Sequence, residues 1–140
     1  MLSPVPMPKN RRPAMMSGHE FYVRRQAVGL DLQTFSKAND VTISVVSKLQ
    51  TERAPVTRQV SNYLQSVEDD VEHRVIFEYE RLSDIAPDVL EKTAIITDPP
   101  EDWKHGHGTW HVVAARVRHM LSTTLGVSPP LEARQNPAAG

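Results

Sequence analysis

Thr42, Ser44, Val45, Ser47 and Lys48 crowd hydroxyl, methyl and ammonium groups into one short stretch, and Arg53 and Arg58 follow close behind. Such groups hydrogen-bond to base edges, touch thymine methyls and pair with phosphates, which is recognition chemistry rather than bond-making chemistry. Residues suited to catalysis are sparser. Asp69-Asp70, Glu78 with Glu80, and Glu101-Asp102 pair carboxylates in sequence, yet neighbours one or two apart on a helix do not face each other. The absence of cysteine rules out a thiolate metal site and a thiol nucleophile. No P-loop, nucleophile elbow or dinucleotide fingerprint occurs. His105, His107 and His111 have the spacing of a metal triad, but two intervening glycines leave its geometry unfixed and no carboxylate is spaced to orient the rings. A hinge or helix kink is the simpler expectation there, and His119 is expected at the surface or an interface. No catalytic residue, metal or cofactor is expected, and the chain does not read as an enzyme.

The recognition residues need a scaffold, and periodicity supplies one. Ser17 can cap a helix running to Val28, with Glu20 in the capping-box position and Gly29 as its stop. Asp31 caps a second, Leu32–Asn39, with Leu32, Phe35 and Ala38 on its inner face. After a turn at Asp40-Val41, Thr42 caps a third over 43–51, in which Val46 and Leu49 point inward. Pro55 closes that segment, and Thr57 opens a fourth helix through Val60, Tyr63, Leu64 and Val67. The pattern then changes. Residues 69–82 fit a further helix, although 74–80 has strand-like content. "TAIIT" at 93–97 is the best strand, and Asp98, Pro99 and Glu101 resemble a helix start. From Thr109, the residues Trp110, Val113, Ala114, Val117, Met120 and Leu121 line one face up to Gly126.

The expected fold is mainly α: an N-terminal helix-turn-helix bundle of four to five helices over 17–67, then a small α part with a short strand over 68–127. Residues 1–16 carry four prolines and the cations Lys9, Arg11 and Arg12, and read as a disordered basic arm that dangles or enters a minor groove. Residues 128–140 read as a disordered tail. A net charge of −1 conceals an asymmetry: residues 1–65 hold nine Lys/Arg against four Asp/Glu, and residues 66–140 hold seven against thirteen. The basic half suits a polyanion and the acidic half would repel one. With no membrane span and no secretory signal, a cytoplasmic location is expected, at the nucleoid if DNA is bound.

A helix-turn-helix braces its first helix against DNA and lays its second in the major groove. In that geometry Thr42, Ser44, Val45 and Lys48 are the base-facing set, while Arg24, Arg25, Gln33, Ser47, Arg53 and Arg58 are candidates for phosphate, and Lys48 can equally read phosphate beside Arg53 and Arg58. Leu30, Phe35, Val41, Thr42, Val46, Ser47 and Leu49 resemble the lambda-repressor-like (Cro and XRE type) helix-turn-helix family over about 18–67. Against that pattern, Asn39-Asp40 replaces the usual Ala-Gly, Leu32 a phosphate-touching glutamine, and Gln50 an acidic residue. A narrower resemblance runs further. "SGHEFYVRRQAVGL", "SVVSKLQTERAPVTRQVSNYL", "EDWK" and Val112–Ala115 within "WHVVAARV" are similar to the two-part, phage-related anti-CRISPR-associated autorepressors, with "HGHG" at 105–108 as an insertion.

That resemblance implies a homodimeric repressor on a palindromic operator of double-stranded DNA, with RNA as a further ligand. The wide stripe Trp110, Val113, Ala114, Val117, Met120 and Leu121 is the expected dimer interface, burying itself against a second copy as well as against the chain's own core. The alternative is an antitoxin or phage-type module that grips a protein partner with its acidic C-terminal half. A helical hairpin that packs without nucleic acid fits the same periodicity.

Overall fold

Hydroxyl and carboxylate caps start the first four helices. In each, the cap residue is extended and its side-chain oxygen accepts the backbone N–H three residues on: Ser17 from Glu20 at 3.0 Å, Asp31 from Thr34 at 2.7 Å, Thr42 from Val45 at 3.3 Å and Thr57 from Val60 at 3.2 Å. The resulting helices are α1 (Gly18–Val28), α2 (Leu32–Asn39), α3 (Ile43–Gln50) and α4 (Arg58–Ser83). They are followed by a single turn, α5 (Pro87–Leu90), the strand β1 (Ile95–Ile96), α6 (Gly106–Leu125) and the strand β2 (Leu131–Glu132). The computed structural model describes residues 16–134. The arm cations Lys9, Arg11 and Arg12 lie outside the described residues, as does the end of the expected tail. The chain is mainly α, with one small two-stranded sheet.

A single helix runs across the expected boundary at 67/68. α4 is one helix of 26 residues, about 39 Å long at 1.5 Å per residue, and 74–80 lies inside it. Its inward positions Val60, Leu64, Val67, Val71 and Val75 form an unbroken stripe, so nothing in the packing interrupts the helix where the surface charge changes sign. The first half of α4 closes the N-terminal bundle. Phe35 of α2 meets Phe21 of α1 edge-on at 5.2 Å and Tyr63 of α4 at 5.8 Å. The second half of α4 packs on α6, where the Arg74 guanidinium lies 5.1 Å from the Trp110 ring centre and Tyr79 Oη is 2.9 Å from Thr124 Oγ1. The buried apolar residues, from Met16 to Val127, make one core.

Four local expectations need correcting. Met16, assigned to the arm, is buried. On α2, Ala38 is exposed and Asn39 is buried instead, its Nδ2 donating to the Phe35 carbonyl at 3.0 Å. No helix starts at 98–101; Asp98 instead accepts the backbone N–H of Arg134 at 2.6 Å. The helix expected from Thr109 begins at Gly106, so "HGHG" forms its first turn rather than a hinge.

The tail also departs from the disorder its prolines suggested. Its strand β2 runs parallel to β1, pairing Ile95 with Leu131. Proline lacks an N–H but keeps its carbonyl. Pro130 accepts from Ile95 N at 2.8 Å and Pro129 accepts from Arg118 Nε at 2.7 Å, so both prolines serve as acceptors.

Candidate nucleic-acid interface

α3 is short, and its two apolar anchors decide its orientation. Val46 and Leu49 are buried, which turns Ser44, Val45, Ser47 and Lys48 outward, with Thr42 exposed at the cap. The turn that sets α3 against α2 passes through Asp40, left-handed at φ 52°, a conformation Asp tolerates better than most residues. The base-facing set thus shares one exposed surface. Its apolar part is larger than the sequence suggested, because Ile43 is 49% exposed beside Val45 at 36%. Ile43 was missed because an isoleucine three places before the anchor Val46 reads as part of the same inward face, whereas the fold leaves this end of α3 uncovered.

The cations divide into two classes. Lys48, Arg53 and Arg58 are exposed, as is Lys37 on α2, and none of them forms an ion pair with another described residue. Arg53 is held just past α3, its N–H donating to the Lys48 carbonyl at 2.9 Å, and Arg58 opens α4. Gln33 is exposed on the first turn of α2 and Ser47 on the outer side of α3. Asp40 and Glu52 are the nearby acids, and Glu52 Oε1 accepts the Gly18 N–H at 3.1 Å.

Arg24 and Arg25 do not belong to that phosphate-facing group. Arg24 Nε donates to Glu68 at 2.9 Å and its NH1 to Glu20 at 2.9 Å; hydrogen bonding to Glu68, opposed by partial burial, raises its pKa further. Arg25 is only 5% exposed. It falls on the inward stripe Phe21, Arg25, Val28, a period visible in the sequence that its charge masked. Its Nε and NH2 both donate to Gln50 Oε1, at 3.0 and 2.8 Å, and its NH1 donates to the Leu30 carbonyl at 2.8 Å. Burial lowers its pKa, opposed more weakly by the charges of Tyr22 and Asp31, and no described carboxylate bonds to it. Arg25 therefore ties α1, the α1–α2 turn and the end of α3 together through neutral acceptors. Gln50, one of the departures from the helix-turn-helix pattern, is its main partner.

This arrangement sets an expected result. Arg25→Leu orphans the Leu30 carbonyl and the Gln50 amide and should lower stability by about 2 kcal/mol in urea denaturation. Gln50→Glu supplies the missing anion and should raise stability by about 1 kcal/mol at neutral pH. The new carboxylate would have a folded pKa below its unfolded value of about 4.3. Its gain is therefore present above about pH 4.3 and is lost as pH falls through the folded pKa. A loss of stability in Gln50→Glu at pH 7 would contradict the assignment.

The expected dimer stripe is also placed differently. Trp110, Val113, Ala114, Val117 and Leu121 are buried against the chain's own core, and Met120 is half-buried beside them. The second half of α4 packs against this face, and Trp110, Val113, Ala114 and Val117 also line a cleft beside it. His105 stands at the N-cap position of α6 without a side-chain capping bond, its Nε2 instead 2.7 Å from Asp70 Oδ2 on α4, while His107 and His111 are exposed with ring centres 6.5 Å apart. Among the described residues, no group of three or more His, Asp or Glu side chains is placed to hold a metal ion. His119 is exposed, and no helix of the described residues is long and apolar enough to cross a membrane. No protein-family model matches the chain, and no curated protein matches it.

Proposed function

We propose that the chain is a sequence-specific DNA-binding regulator of the lambda-repressor-like helix-turn-helix type, acting as a repressor by occupying its operator. The observation that carries this is the pairing of an outward α3 surface (Thr42, Ile43, Ser44, Val45, Ser47, Lys48) with a flank of exposed cations that no described carboxylate neutralises. Phosphate is the counter-ion such a flank suits, and short hydroxyl and methyl groups are what a helix in the major groove needs. Lys37, Lys48, Arg53 and Arg58 position the protein, while Ser44, Val45 and Ile43 choose among sequences. Two copies on an inverted repeat would place their α3 helices about 34 Å apart, one turn of B-DNA.

The test is retention of random duplexes by the purified chain, followed by sequencing of what is bound. A fixed half-site, repeated in inverted orientation, supports both the regulator and its dimer. No enrichment by a folded protein shifts the reading to a protein partner of the acidic half. Within the DNA reading, Lys48→Ala should weaken binding to all sequences alike and reduce the slope of log affinity against log salt by about 1. Val45→Ser should change the preferred base at one position of each half-site, with a discrimination change of about 1–3 kcal/mol. Electrophoretic titration of both variants over a salt series separates the two roles, and the opposite pattern would remove the assignment.

A further inference from the structure

An apolar cleft of about 410 Å³ opens between the second half of α4, the β1–β2 ladder and α6. Its volume lies in the lower part of the range of small-ligand sites, roughly 300–1,000 Å³. Leu82, Ile95, Trp110, Val113 and Val117 form its floor, and Phe77 and Ile96 stand exposed at its lip. The Trp110 indole N–H donates to the Ile96 carbonyl at 2.9 Å, which leaves the ring itself as apolar wall.

The charge at the mouth is unusual for this half of the chain. Residues 66–140 hold seven cations against thirteen acids. Three of those cations, Arg74, Arg81 and Arg134, line this cleft against two acids, Glu78 and Asp98. Glu78 is itself buried and holds both Arg74, at 3.0 Å, and Arg81, at 2.6 Å. Arg74 has a second carboxylate in Asp102 at 2.9 Å, whereas Arg81, with a side chain 56% exposed, has only its share of Glu78 among the described residues. Three arginines face three acids, Glu78, Asp98 and Asp102, and the two left least neutralised over the apolar floor are Arg81, which shares Glu78, and Arg134, which forms no ion pair with another described residue.

We propose that this cleft binds a small amphipathic monoanion, an alkyl or aryl carboxylate whose apolar body lies on Trp110 and Ile95 and whose carboxylate pairs with Arg81 and Arg134. Apolar burial supplies the attraction and the rim supplies the sign. The site is independent of the DNA reading and its test uses no DNA.

The test is calorimetric titration of the full chain with decanoate and with decylamine, which share an apolar body and differ in charge, while tryptophan emission reports on Trp103 and Trp110. Decanoate should bind saturably, one per chain, shift the emission, and bind at least tenfold more tightly than decylamine at neutral pH. Arg81→Glu, a change at an exposed side chain, should weaken decanoate at least tenfold and narrow or reverse the preference. Ala114→Leu, which fills the floor, should abolish binding of both. If that variant does not fold, the Arg81→Glu comparison alone decides. Equal affinity for the two probes would mean bare apolar surface and overturn the proposal, as would the lack of a saturable decanoate site. A chain that sediments as a dimer split by decanoate would give the cleft to a second copy, which also overturns it.

Discussion

Val113→Glu is expected to unfold the chain rather than to release a dimer. Val113 is fully buried, on the face of α6 that α4 covers. A glutamate there must bury its charge or push out toward the arginines at the mouth of the cleft that Val113 lines, and a buried charge left unpaired is expected to cost about 5 kcal/mol or more. That approaches the whole stability of a small domain, about 5–15 kcal/mol. Far-ultraviolet circular dichroism should show loss of most helix at room temperature or a midpoint far below that of the parent. Ala115→Glu, on the exposed side of the same helix, should stay within about 0.5 kcal/mol of the parent. A Val113→Glu chain with native helix content that merely sediments at half the parent mass would restore the stripe to a dimer interface. How much of the stripe the chain's own core takes was not legible, because a 3.6-residue period says that a face is covered and not what covers it. The covering element is the part of α4 beyond Val67, which the charge reversal made look like a separate piece.

What stayed hidden there and what was legible around it have one physical origin. Helix starts were legible because a cap is local: Ser17, Asp31, Thr42 and Thr57 each satisfy a donor only three residues away, and that relation is written in the spacing. The inward turn of Val46 and Leu49 was legible for the same reason. Elements fixed by distant partners were not. β2 exists because Ile95 and Thr97 find acceptors at Pro130 and Glu132, and no local pattern in "SPPLEAR" announces that. Arg25 was read as a surface cation because burial of a guanidinium depends on Gln50 and Leu30 being there to accept its hydrogen bonds. At the candidate interface, Ser44, Val45, Ser47 and Lys48 were recoverable from the sequence, because exposure on α3 follows from its two anchors. The separation of free from paired cations required the fold.

The glycines at the crossing of α1 and α6 give the second large effect. Gly29 ends α1 with φ 76°, its N–H bonding the Gln26 carbonyl, and a Cβ built on it would stand 2.3 Å from the Gly108 carbonyl oxygen. Gly108 in turn has space for nothing more, since a Cβ there would stand 2.2 Å from the Gly29 carbonyl oxygen. Both obstructions are backbone atoms, which do not move aside as a flexible side chain would. Gly29→Ala therefore adds a left-handed strain of about 1–2 kcal/mol to an overpacking cost of about 1–3 kcal/mol, for a total of about 3 kcal/mol. Gly126→Ala separates the two contributions, because Gly126 also ends a helix at positive φ (69°) but has nothing within 4 Å of its Cβ position. It should cost only about 1 kcal/mol. Gly108→Ala carries the steric cost without the left-handed strain and should fall between, near 2 kcal/mol. Urea denaturation of the three variants gives this order, and equal losses for Gly29→Ala and Gly126→Ala would show that the two turns do not touch. The contact also explains the "HGHG" run: the glycines let the first turn of α6 reach the α1–α2 turn, so the C-terminal half braces the helices that present α3.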